Sequence, residues 1–228
     1  ALIVRSEKIG PPVIDALPKL KVIVRAGSGY DTIDIQYARR KGIDVMNTPG
    51  ANANAVAEEV VALMLADARH IVEADATTRA GQWEKKKYMG RELTGKTVGI
   101  VGLGNIGQLV AKRLSGFEVK LLGYDPLISQ ERADAIRVEL TELPDLFARA
   151  DYVTLHIPEN EETRGLVNEA LLARMKEGAS LVNCARSGII DEAALRKIKP
   201  ARKLRFLNDV YPKDETGPKS VADLADLM

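Results

Sequence analysis

Three glycines, spaced as Gly102-x-Gly104-x-x-Gly107, lie between an apolar run and a stretch with helical periodicity. Gly102 permits a tight turn, Gly104 lets a pyrophosphate approach the backbone, and Gly107 lets the helix pack against the sheet. The turn also contains Asn105 and Ile106, at the start of the expected helix, where free backbone N–H groups favour phosphate. In this context the spacing predicts a dinucleotide-binding turn rather than a glycine-rich loop without a ligand.

An acidic residue closes the next expected strand. Asp125 follows Gly107 by 18 residues, and a carboxylate at that place can accept hydrogen bonds from the ribose hydroxyls of adenosine. The same charge would repel a 2′-phosphate. The sequence therefore favours NAD over NADP as the cofactor.

A second segment with side chains that could take part in chemistry is Cys184-Ala185-Arg186, which lies directly after a short apolar run. Ligands of α/β sheets bind at the carboxyl ends of strands, and a guanidinium there can hold a carboxylate bidentately. A cation that holds a substrate carboxylate near a dinucleotide, together with a general base, is suited to hydride transfer. The alternative for Arg186 is a surface arginine in a strand–helix loop. Cys184 has no nearby histidine in sequence to activate it, so we expect a small buried residue rather than a nucleophile.

These residues must be positioned by strands and helices that alternate along the chain. Continuous Val, Ile and Leu runs are typical of buried parallel strands. The expected strands are 1–4, 21–25, 43–47, 97–101, 119–122, 151–157, 180–183 and 204–210. The expected helices between them are 12–17, 32–41, 106–114, 142–150, 168–176 and 191–198. This order predicts an α/β fold with a doubly wound, Rossmann-like parallel sheet.

The alternation breaks once, at Asn52 to Ala80, which contains no Gly or Pro and is rich in Ala, Glu and Leu. Its composition predicts one helix about 40 Å long, and His70 within it is interpreted as structural or solvent-facing. We expect a domain boundary near Pro49-Gly50. Residues 1–49 then form a second, smaller and incomplete flavodoxin-like α/β domain, and residues 50–228 form the larger one.

Composition excludes several classes of protein. The net charge of +1 gives no basic field for nucleic acid, and the chain has no apolar run long enough to cross a membrane. A single cysteine excludes an intrachain disulfide framework and fits a reducing, cytoplasmic location. No metal site is predicted.

The sequence resembles the D-2-hydroxyacid dehydrogenases over nearly its whole length. The motifs that carry the resemblance are 4–6 (VRS), 25–31 (RAGSGYD), 47–49 (NTP), 83–90 (WEKKKYMG), 95–104 (GKTVGIVGLG), 182–188 (VNCARSG) and 209–212 (DVYP). The resemblance implies an NAD-dependent oxidoreductase with a substrate-binding domain at 1–49 and an NAD-binding domain at 50–228.

The segment 83–90 points to a branch of the family that acts on a phosphorylated 2-hydroxy acid. The resemblance nominates, as substrate-binding residues, Arg5, Arg25, Ser28, Gly29, Asn52, Lys86 and Lys87. Arginine side chains and backbone N–H groups suit a dianion. Residues 85–87 form a run of three lysines, the basic loop. This loop is either a solvated turn or a loop that extends to the site of a partner subunit.

For catalysis, the resemblance implies that Arg186 orients the substrate and that a His, held by an acid, is the base. In the family that His lies in a Pro-His-Leu-Gly motif, which is absent from these 228 residues. We therefore expect residues 1–228 to bind NAD and to show negligible turnover. The acid is Glu215 by spacing from Arg186, or Asp214 by alignment on Asp209.

Other cofactor contacts are also implied by the resemblance. His156 and Pro158 correspond to a segment that lines the adenosine side, and Asp209 corresponds to the acceptor for the nicotinamide amide. The alternative for His156 is a polar residue at a strand end. Cys184 and Ala185 would border the nicotinamide.

Two other functions stay open. The first is another D-2-hydroxyacid dehydrogenase, such as a glyoxylate or hydroxypyruvate reductase. The second is a binding protein of the corepressor type, whose assembly NAD(H) controls. The family also implies a homodimer or homotetramer. The expected helix 52–80 offers an apolar surface, of which part is expected to pack on the sheet and the rest to pair with a second copy; its residues are Val56, Val60, Leu63 and Leu65.

Overall fold

The computed structural model describes residues 1–210 and 223–228. Within them the chain divides into two compact units, Ala1–Ala55 and Val56–Met228. The sequence predicted a domain boundary between residues 49 and 50, whereas the division into compact units falls between residues 55 and 56.

The first unit contains a three-stranded parallel sheet in the order β1-β2-β3. Its elements are β1 (Leu2–Val4), α1 (Pro11–Asp15), β2 (Val22–Arg25), α2 (Ile35–Arg40) and β3 (Asp44–Asn47). Helix α2 begins where the Asp34 carboxylate accepts a hydrogen bond from the N–H of Tyr37. Burial of aliphatic side chains stabilises the unit; the buried set is Val4, Ile9, Ile14, Leu20, Ile23, Ile33, Ala38 and Ile43.

The second unit is built on a six-stranded parallel sheet in the order β6-β5-β4-β7-β8-β9. The strands are β4 (Thr97–Val101), β5 (Lys120–Tyr124), β6 (Glu139–Leu140), β7 (Tyr152–Leu155), β8 (Ser180–Asn183) and β9 (Arg205–Asn208). The helices are α3 (Ala53–Arg69), which starts in the first unit, α4 (Ile71–Arg79), α5 (Asn105–Leu114), α6 (Gln130–Ala135), α7 (Leu143–Arg149), α8 (Glu169–Leu172) and α9 (Glu192–Arg202).

This strand order confirms the predicted doubly wound sheet. The chain runs outward from β4 through β5 to β6, and then restarts on the other side of β4 with β7. The reversal between β4 and β7 is a topological switch point, where sheets of this kind bind ligands at the carboxyl ends of the strands. Strands β7 and β8 are fully buried, as their apolar composition predicted. The short elements α6 and β6 were not predicted.

The prediction of one helix from Asn52 to Ala80 was wrong, because His70 interrupts it. His70 adopts a left-handed conformation, with φ of 52°. In a continuous helix the Ala68 carbonyl would accept from the N–H of Val72; here it accepts from the N–H of Arg91 at 2.8 Å. The chain therefore turns at residue 70, and the His70 ring centroid lies 6.0 Å from that of Tyr88.

A buried ionic cluster joins helix α3 to the amino ends of two strands. The Asp67 carboxylate, 1% exposed, accepts hydrogen bonds from Arg91 Nη2 at 2.7 Å and from Arg205 Nε at 2.6 Å. The Ser180 hydroxyl donates to the same carboxylate at 3.1 Å. Ser180 and Arg205 begin β8 and β9, so the cluster lies at the edge of the sheet opposite the carboxyl ends.

The apolar surface predicted for this helix packs in part on the core of the second unit. Val60 is buried, and Val56, Leu63 and Leu65 are partly buried against the same core. Exposed large apolar side chains are found further along, at Ile71, Val72, Trp83 and Met89. In the described part of the chain, the helices are too short or too polar to cross a membrane.

Candidate functional site

The glycine turn lies at the carboxyl end of the central strand β4 and leads into helix α5. Gly102 has φ of +95°, and a Cβ there would lie 2.7 Å from the carbonyl oxygen of His156. A Cβ at Gly107 would lie 2.0 Å from the carbonyl oxygen of Gly102. Both positions therefore require glycine, for the left-handed turn and for the close approach of α5.

Gly104 differs from these two glycines because a Cβ there would meet nothing within 4 Å. Gly104 and Asn105 are exposed, whereas Ile106 is half-buried. Gly104 is also the N-cap of α5 and has no side chain to occupy the first helical N–H groups. An open surface beside uncapped N–H groups is suited to a phosphate.

Asp125 follows β5, and its carboxylate holds two backbone N–H groups. One oxygen accepts from Leu103 at 2.7 Å and the other accepts from Leu127 at 2.8 Å. Each carboxylate oxygen has a further lone pair for a ligand hydroxyl. Asp125 thus joins the end of β5 to the glycine turn and keeps acceptor capacity for a ribose.

His156 packs behind the glycine turn, where its backbone N–H donates to the Val101 carbonyl at 2.7 Å. Its Nε2 lies 2.9 Å from the Thr154 hydroxyl, and its Nδ1 is buried without a hydrogen-bond partner among the described residues. Burial lowers the pKa of His156 to about 3, so the ring is neutral at physiological pH. Pro158 is exposed two residues further on.

The Arg186 loop leaves the carboxyl end of β8. The Asn183 side chain accepts from the N–H of Ala185 at 3.1 Å and donates to the carbonyl of Arg186 at 3.0 Å. The Arg186 guanidinium, which is partly buried, donates through Nη1 to the Ala185 carbonyl at 2.7 Å. Arg186 therefore lies at the carboxyl edge of the sheet, which is the edge at which α/β sheets bind ligands.

Cys184 and Asp209 follow neighbouring strands, and the N–H of Asp209 donates to the Asn183 carbonyl at 3.0 Å. Burial, and then the carboxylates of Asp209 and Glu59, raise the pKa of the Cys184 thiol to about 12. Desolvation raises the pKa of Asp209. Desolvation, and then the negative charge of Asp209, raise the pKa of Glu59. Cys184 is thus a neutral thiol, which is consistent with a packing role and not with nucleophilic catalysis.

In the first unit, two candidate arginines lie at the carboxyl edge of the small sheet. Arg5 follows β1 and is exposed, and Arg25 ends β2 in register with Val4. The Arg25 side chain lies directly over Gly27, where a Cβ would overlap it. Its Nε is buried without a hydrogen-bond partner in the described residues, and such a donor would be satisfied by an anion oxygen.

The loops after β2 and β3 are joined by Ser28. Its hydroxyl donates to the Asn52 side-chain oxygen at 2.9 Å and accepts from the N–H of Gly50 at 3.0 Å. The Asn47 side chain donates to the Ser28 carbonyl at 2.8 Å. The structure therefore places Ser28, the adjacent Gly29 and Asn52 together, and shows the Ser28 hydroxyl used within the loop.

The two candidate lysines belong to the second unit and have different surroundings. Lys87 forms an ion pair with Glu84 at 3.0 Å and lies 5.3 Å from the centre of the Tyr88 ring. Lys86 is exposed. The candidate acids Glu215 and Asp214 lie outside the described residues.

Sequence reasoning missed the residues that support the site. Asn183 and Gly27 were seen only as members of motifs, Asn183 also as the end of a strand, and neither was assigned a role in the site. A buried asparagine just before a reactive arginine was the available signal for the first. No pattern in sequence indicates that the Arg25 side chain folds over Gly27.

The glycine turn at the switch point, the uncapped helix N-terminus and the acid after β5 define a dinucleotide-binding α/β domain. The open surface at Gly104 and the second acceptor site on each Asp125 oxygen fit the pyrophosphate and ribose of NAD. Residues 61–226 match the D-isomer specific 2-hydroxyacid dehydrogenase, NAD binding domain. The chain belongs to this family, and NAD is the cofactor of its domain.

Similar proteins agree with this family. The chain is 47% identical over 220 residues to D-3-phosphoglycerate dehydrogenase of Archaeoglobus fulgidus, and the match covers 96% of this chain and 42% of that protein. It is 49% identical over 195 residues to hydroxypyruvate reductase of Thermotoga maritima, covering 85% of this chain and 63% of that protein. The chain thus spans less than half of the first relative.

Among solved structures, the NAD-dependent formate dehydrogenase of Staphylococcus aureus in complex with NAD is similar with a TM-score of 0.86 and 30% identity. That match covers 99% of this chain and 70% of the other. The described residues contain no cluster of side chains that could hold a metal ion.

Proposed function

We propose that this protein oxidises D-3-phosphoglycerate to 3-phosphohydroxypyruvate with NAD, the first step of serine biosynthesis. The observation that carries this proposal is the Arg186 loop at the carboxyl edge of an NAD-binding sheet, in a chain 47% identical to a D-3-phosphoglycerate dehydrogenase. The parallel sheet and the glycine turn support NAD as the cofactor. The Arg186 loop supports a substrate that carries a carboxylate.

In this proposal Gly102, Gly104 and Asp125 would hold NAD, which would supply the acceptor for the hydride that leaves C2 of the substrate. Arg186 holds the substrate carboxylate and stabilises the carbonyl as negative charge develops on its oxygen. The hydroxyl proton passes to a base, which the family resemblance assigns to a histidine. His156 does not fit that role, because burial lowers its pKa to about 3. The acid that orients the base is Glu215 or Asp214.

The substrate phosphate is proposed to bind cationic and amide groups. Arg5, Arg25 and Asn52 offer donors at the carboxyl edge of the small sheet, and the Arg25 Nε needs a partner. Guanidinium groups form charge-assisted hydrogen bonds with phosphate oxygens. Ser28 contributes by holding Asn52, and Gly29 offers a backbone N–H. Lys86 and Lys87 belong to a basic loop that would extend to the site of a partner subunit.

The test is a steady-state assay of the natural full-length protein with NAD and D-3-phosphoglycerate, in parallel with D-glycerate. We expect a kcat/KM at least about tenfold higher for the phosphorylated acid, which corresponds to about 1.4 kcal/mol of transition-state binding. Turnover of D-glycerate, glyoxylate or hydroxypyruvate alone would favour the reductase alternative. Tight binding of a peptide without dehydrogenase activity would favour the corepressor alternative.

A lysine variant separates phosphate recognition from general activity. Replacement of Lys86 and Lys87 by Ala should raise KM for D-3-phosphoglycerate about tenfold, the loss expected for one charge-assisted contact, and leave KM for hydroxypyruvate unchanged. Lys197→Ala, which removes an exposed partner of Glu169, is the matched control. An equal change in KM for both substrates would indicate that the basic loop is a solvated turn with no role in phosphate binding.

We further propose that the protein is a homo-oligomer, a dimer or a tetramer, in the cytoplasm. The exposed apolar side chains of Ile71, Val72, Trp83 and Met89 support an interface with a second copy. The single cysteine supports a reducing compartment. A monomer at micromolar concentration in size-exclusion chromatography would contradict the oligomer.

A further inference from the structure

Asn183 is the last residue of β8 and is 1% exposed. Its side chain uses both ends of the amide on the loop that follows. The oxygen accepts from the N–H of Ala185 at 3.1 Å, and the nitrogen donates to the carbonyl of Arg186 at 3.0 Å. One buried side chain therefore binds two successive residues of the arginine loop.

These two hydrogen bonds fix the backbone from which the Arg186 side chain departs. Arg186 is extended, with φ of −148° and ψ of 144°, and a short 3-10 turn, Ser187–Ile189, follows at once. The guanidinium donates to the Ala185 carbonyl at 2.7 Å. Ala185 thus binds Asn183 through its N–H and Arg186 through its carbonyl, so a displacement of Asn183 would also move the guanidinium.

An asparagine is required for this arrangement because it combines a donor and an acceptor in a short planar group. An aspartate of the same shape would keep an acceptor for Ala185 and would place a carboxylate oxygen against the Arg186 carbonyl. A buried polar group without its partner is costly.

The neighbouring strand contains a comparable residue that acts on a different loop. Asn208 ends β9, is 1% exposed and lies in register with Asn183. Its side chain donates to the Val210 carbonyl at 2.5 Å, across Asp209. The two buried asparagines are therefore not equivalent, since only Asn183 binds the arginine loop.

We propose that Asn183 is a positioning residue that sets the Arg186 guanidinium for the carboxylate of the substrate. This inference rests on the proposed function, in which Arg186 binds and orients a 2-hydroxy acid. Asn183 itself acts through the loop and does not touch the reacting atoms.

The test compares Asn183→Asp with the wild type in the natural full-length protein. We expect kcat/KM for D-3-phosphoglycerate to fall about 100-fold, as for a misplacement of about 1 Å. The Kd of NADH, measured by fluorescence, should rise by less than about tenfold, well below the loss in kcat/KM, because the glycine turn and Asp125 are unchanged and only the contact near Ala185 is altered. The control Asn168→Asp alters an asparagine that caps α8 and should match the wild type in both measurements.

A double-mutant cycle shows whether Asn183 acts through Arg186. Arg186→Ala should lower kcat/KM strongly, and adding Asn183→Asp to that variant should lower it less than about threefold further. If the fold losses in kcat/KM of the two single variants multiply in the double variant, the inference is overturned. An Asn183→Asp enzyme with wild-type kcat/KM would also overturn it. Equal losses of NADH binding and of catalysis would indicate a structural role and would also overturn it.

A crystal structure of Asn183→Asp provides a measurement that does not depend on the substrate. We expect the guanidinium to move by about 1 Å or more, and an unmoved guanidinium would overturn the inference. A wild-type protein without turnover of any 2-hydroxy acid would overturn the proposed function instead. Should Asn183→Asp fail to fold by circular dichroism, Asn183→Ser, which keeps a hydroxyl near Ala185, replaces it in each experiment.

Discussion

The carboxylate of Asp125 accepts a hydrogen bond from the backbone N–H of Leu103 at 2.7 Å, and this contact joins the end of β5 to the glycine turn after β4. Its other oxygen accepts from Leu127. A residue predicted from sequence to bind ribose thus also holds the glycine turn that is predicted to bind the pyrophosphate. Loss of Asp125 should therefore affect both the stability of the turn and the affinity for NAD.

Asp125→Asn should show both effects, because the amide has one acceptor oxygen for two backbone donors. We expect the free energy of unfolding to fall by about 1 kcal/mol and the Kd of NAD to rise about tenfold. The preference for NAD over NADP should weaken as the negative charge is lost. Urea unfolding and titration with both cofactors measure these changes. Asp134→Asn, an exposed acid on α6 bound to Gln130, is the control, and a similar loss of affinity in it would contradict the assignment.

Gly104→Ala should separate cofactor binding from folding. The residue has φ of −72°, which alanine adopts, and a Cβ would meet nothing within 4 Å. We expect an unchanged Tm and at least about a tenfold rise in the Kd of NAD, because the methyl group would occupy the path of the pyrophosphate. Gly116→Ala, at another open position, should change neither value. If Gly104→Ala binds NAD as tightly as Gly116→Ala, the phosphates do not approach this glycine.

Asp67→Asn should be strongly destabilising, because two guanidinium groups would lose their shared carboxylate. We expect the free energy of unfolding to fall by about 3 kcal/mol, the order found when one partner of a buried pair is removed. Asp75→Asn, which removes an exposed partner of Arg79 at 2.8 Å, should cost less than about 0.5 kcal/mol. Urea unfolding of both variants measures the difference. Equal losses would show that the cluster contributes no more than a surface pair.

Cys184 should be inert toward thiol reagents in the folded protein. Burial, with the charges of Asp209 and Glu59, raises its pKa to about 12 from an ordinary value of 9.0. At pH 8 the thiolate fraction is then about a thousandfold lower than in the unfolded chain. The rate of reaction with Ellman's reagent, compared in buffer and in urea, measures this. Rapid reaction in buffer would contradict the burial of the thiol.

The same thiol makes stability depend on pH at the alkaline end. The unfolded chain releases the Cys184 proton near pH 9.0, and the folded chain releases it near pH 12. Stability from this group is therefore complete below pH 9.0 and declines as the pH rises from 9.0 to 12. Cys184→Ala should unfold with a flatter pH dependence in this window, and an unchanged slope would contradict the raised pKa.

Much of the second unit was predictable because its signals are local. The strand at 97–101 and the strand at 180–183 were predicted with the observed bounds, since short uncharged runs that contain Val, Ile or Leu are typical of buried parallel strands. The order of strands and helices then indicated the doubly wound sheet. The helix break at His70 was not predictable from composition, because it depends on the N–H of Arg91, which is 23 residues from the Ala68 carbonyl it binds.

The sequence by itself determined the dinucleotide turn, since the spacing of Gly102, Gly104 and Gly107 encodes a turn and a helix start within six residues. It also determined that an acid ends the next strand. Only the tertiary structure decided how those residues are held: Asp125 on Leu103, Asn183 on the arginine loop, and Asp67 between Arg91 and Arg205. These contacts join residues distant in sequence or depend on burial, and neither property is written in a local pattern.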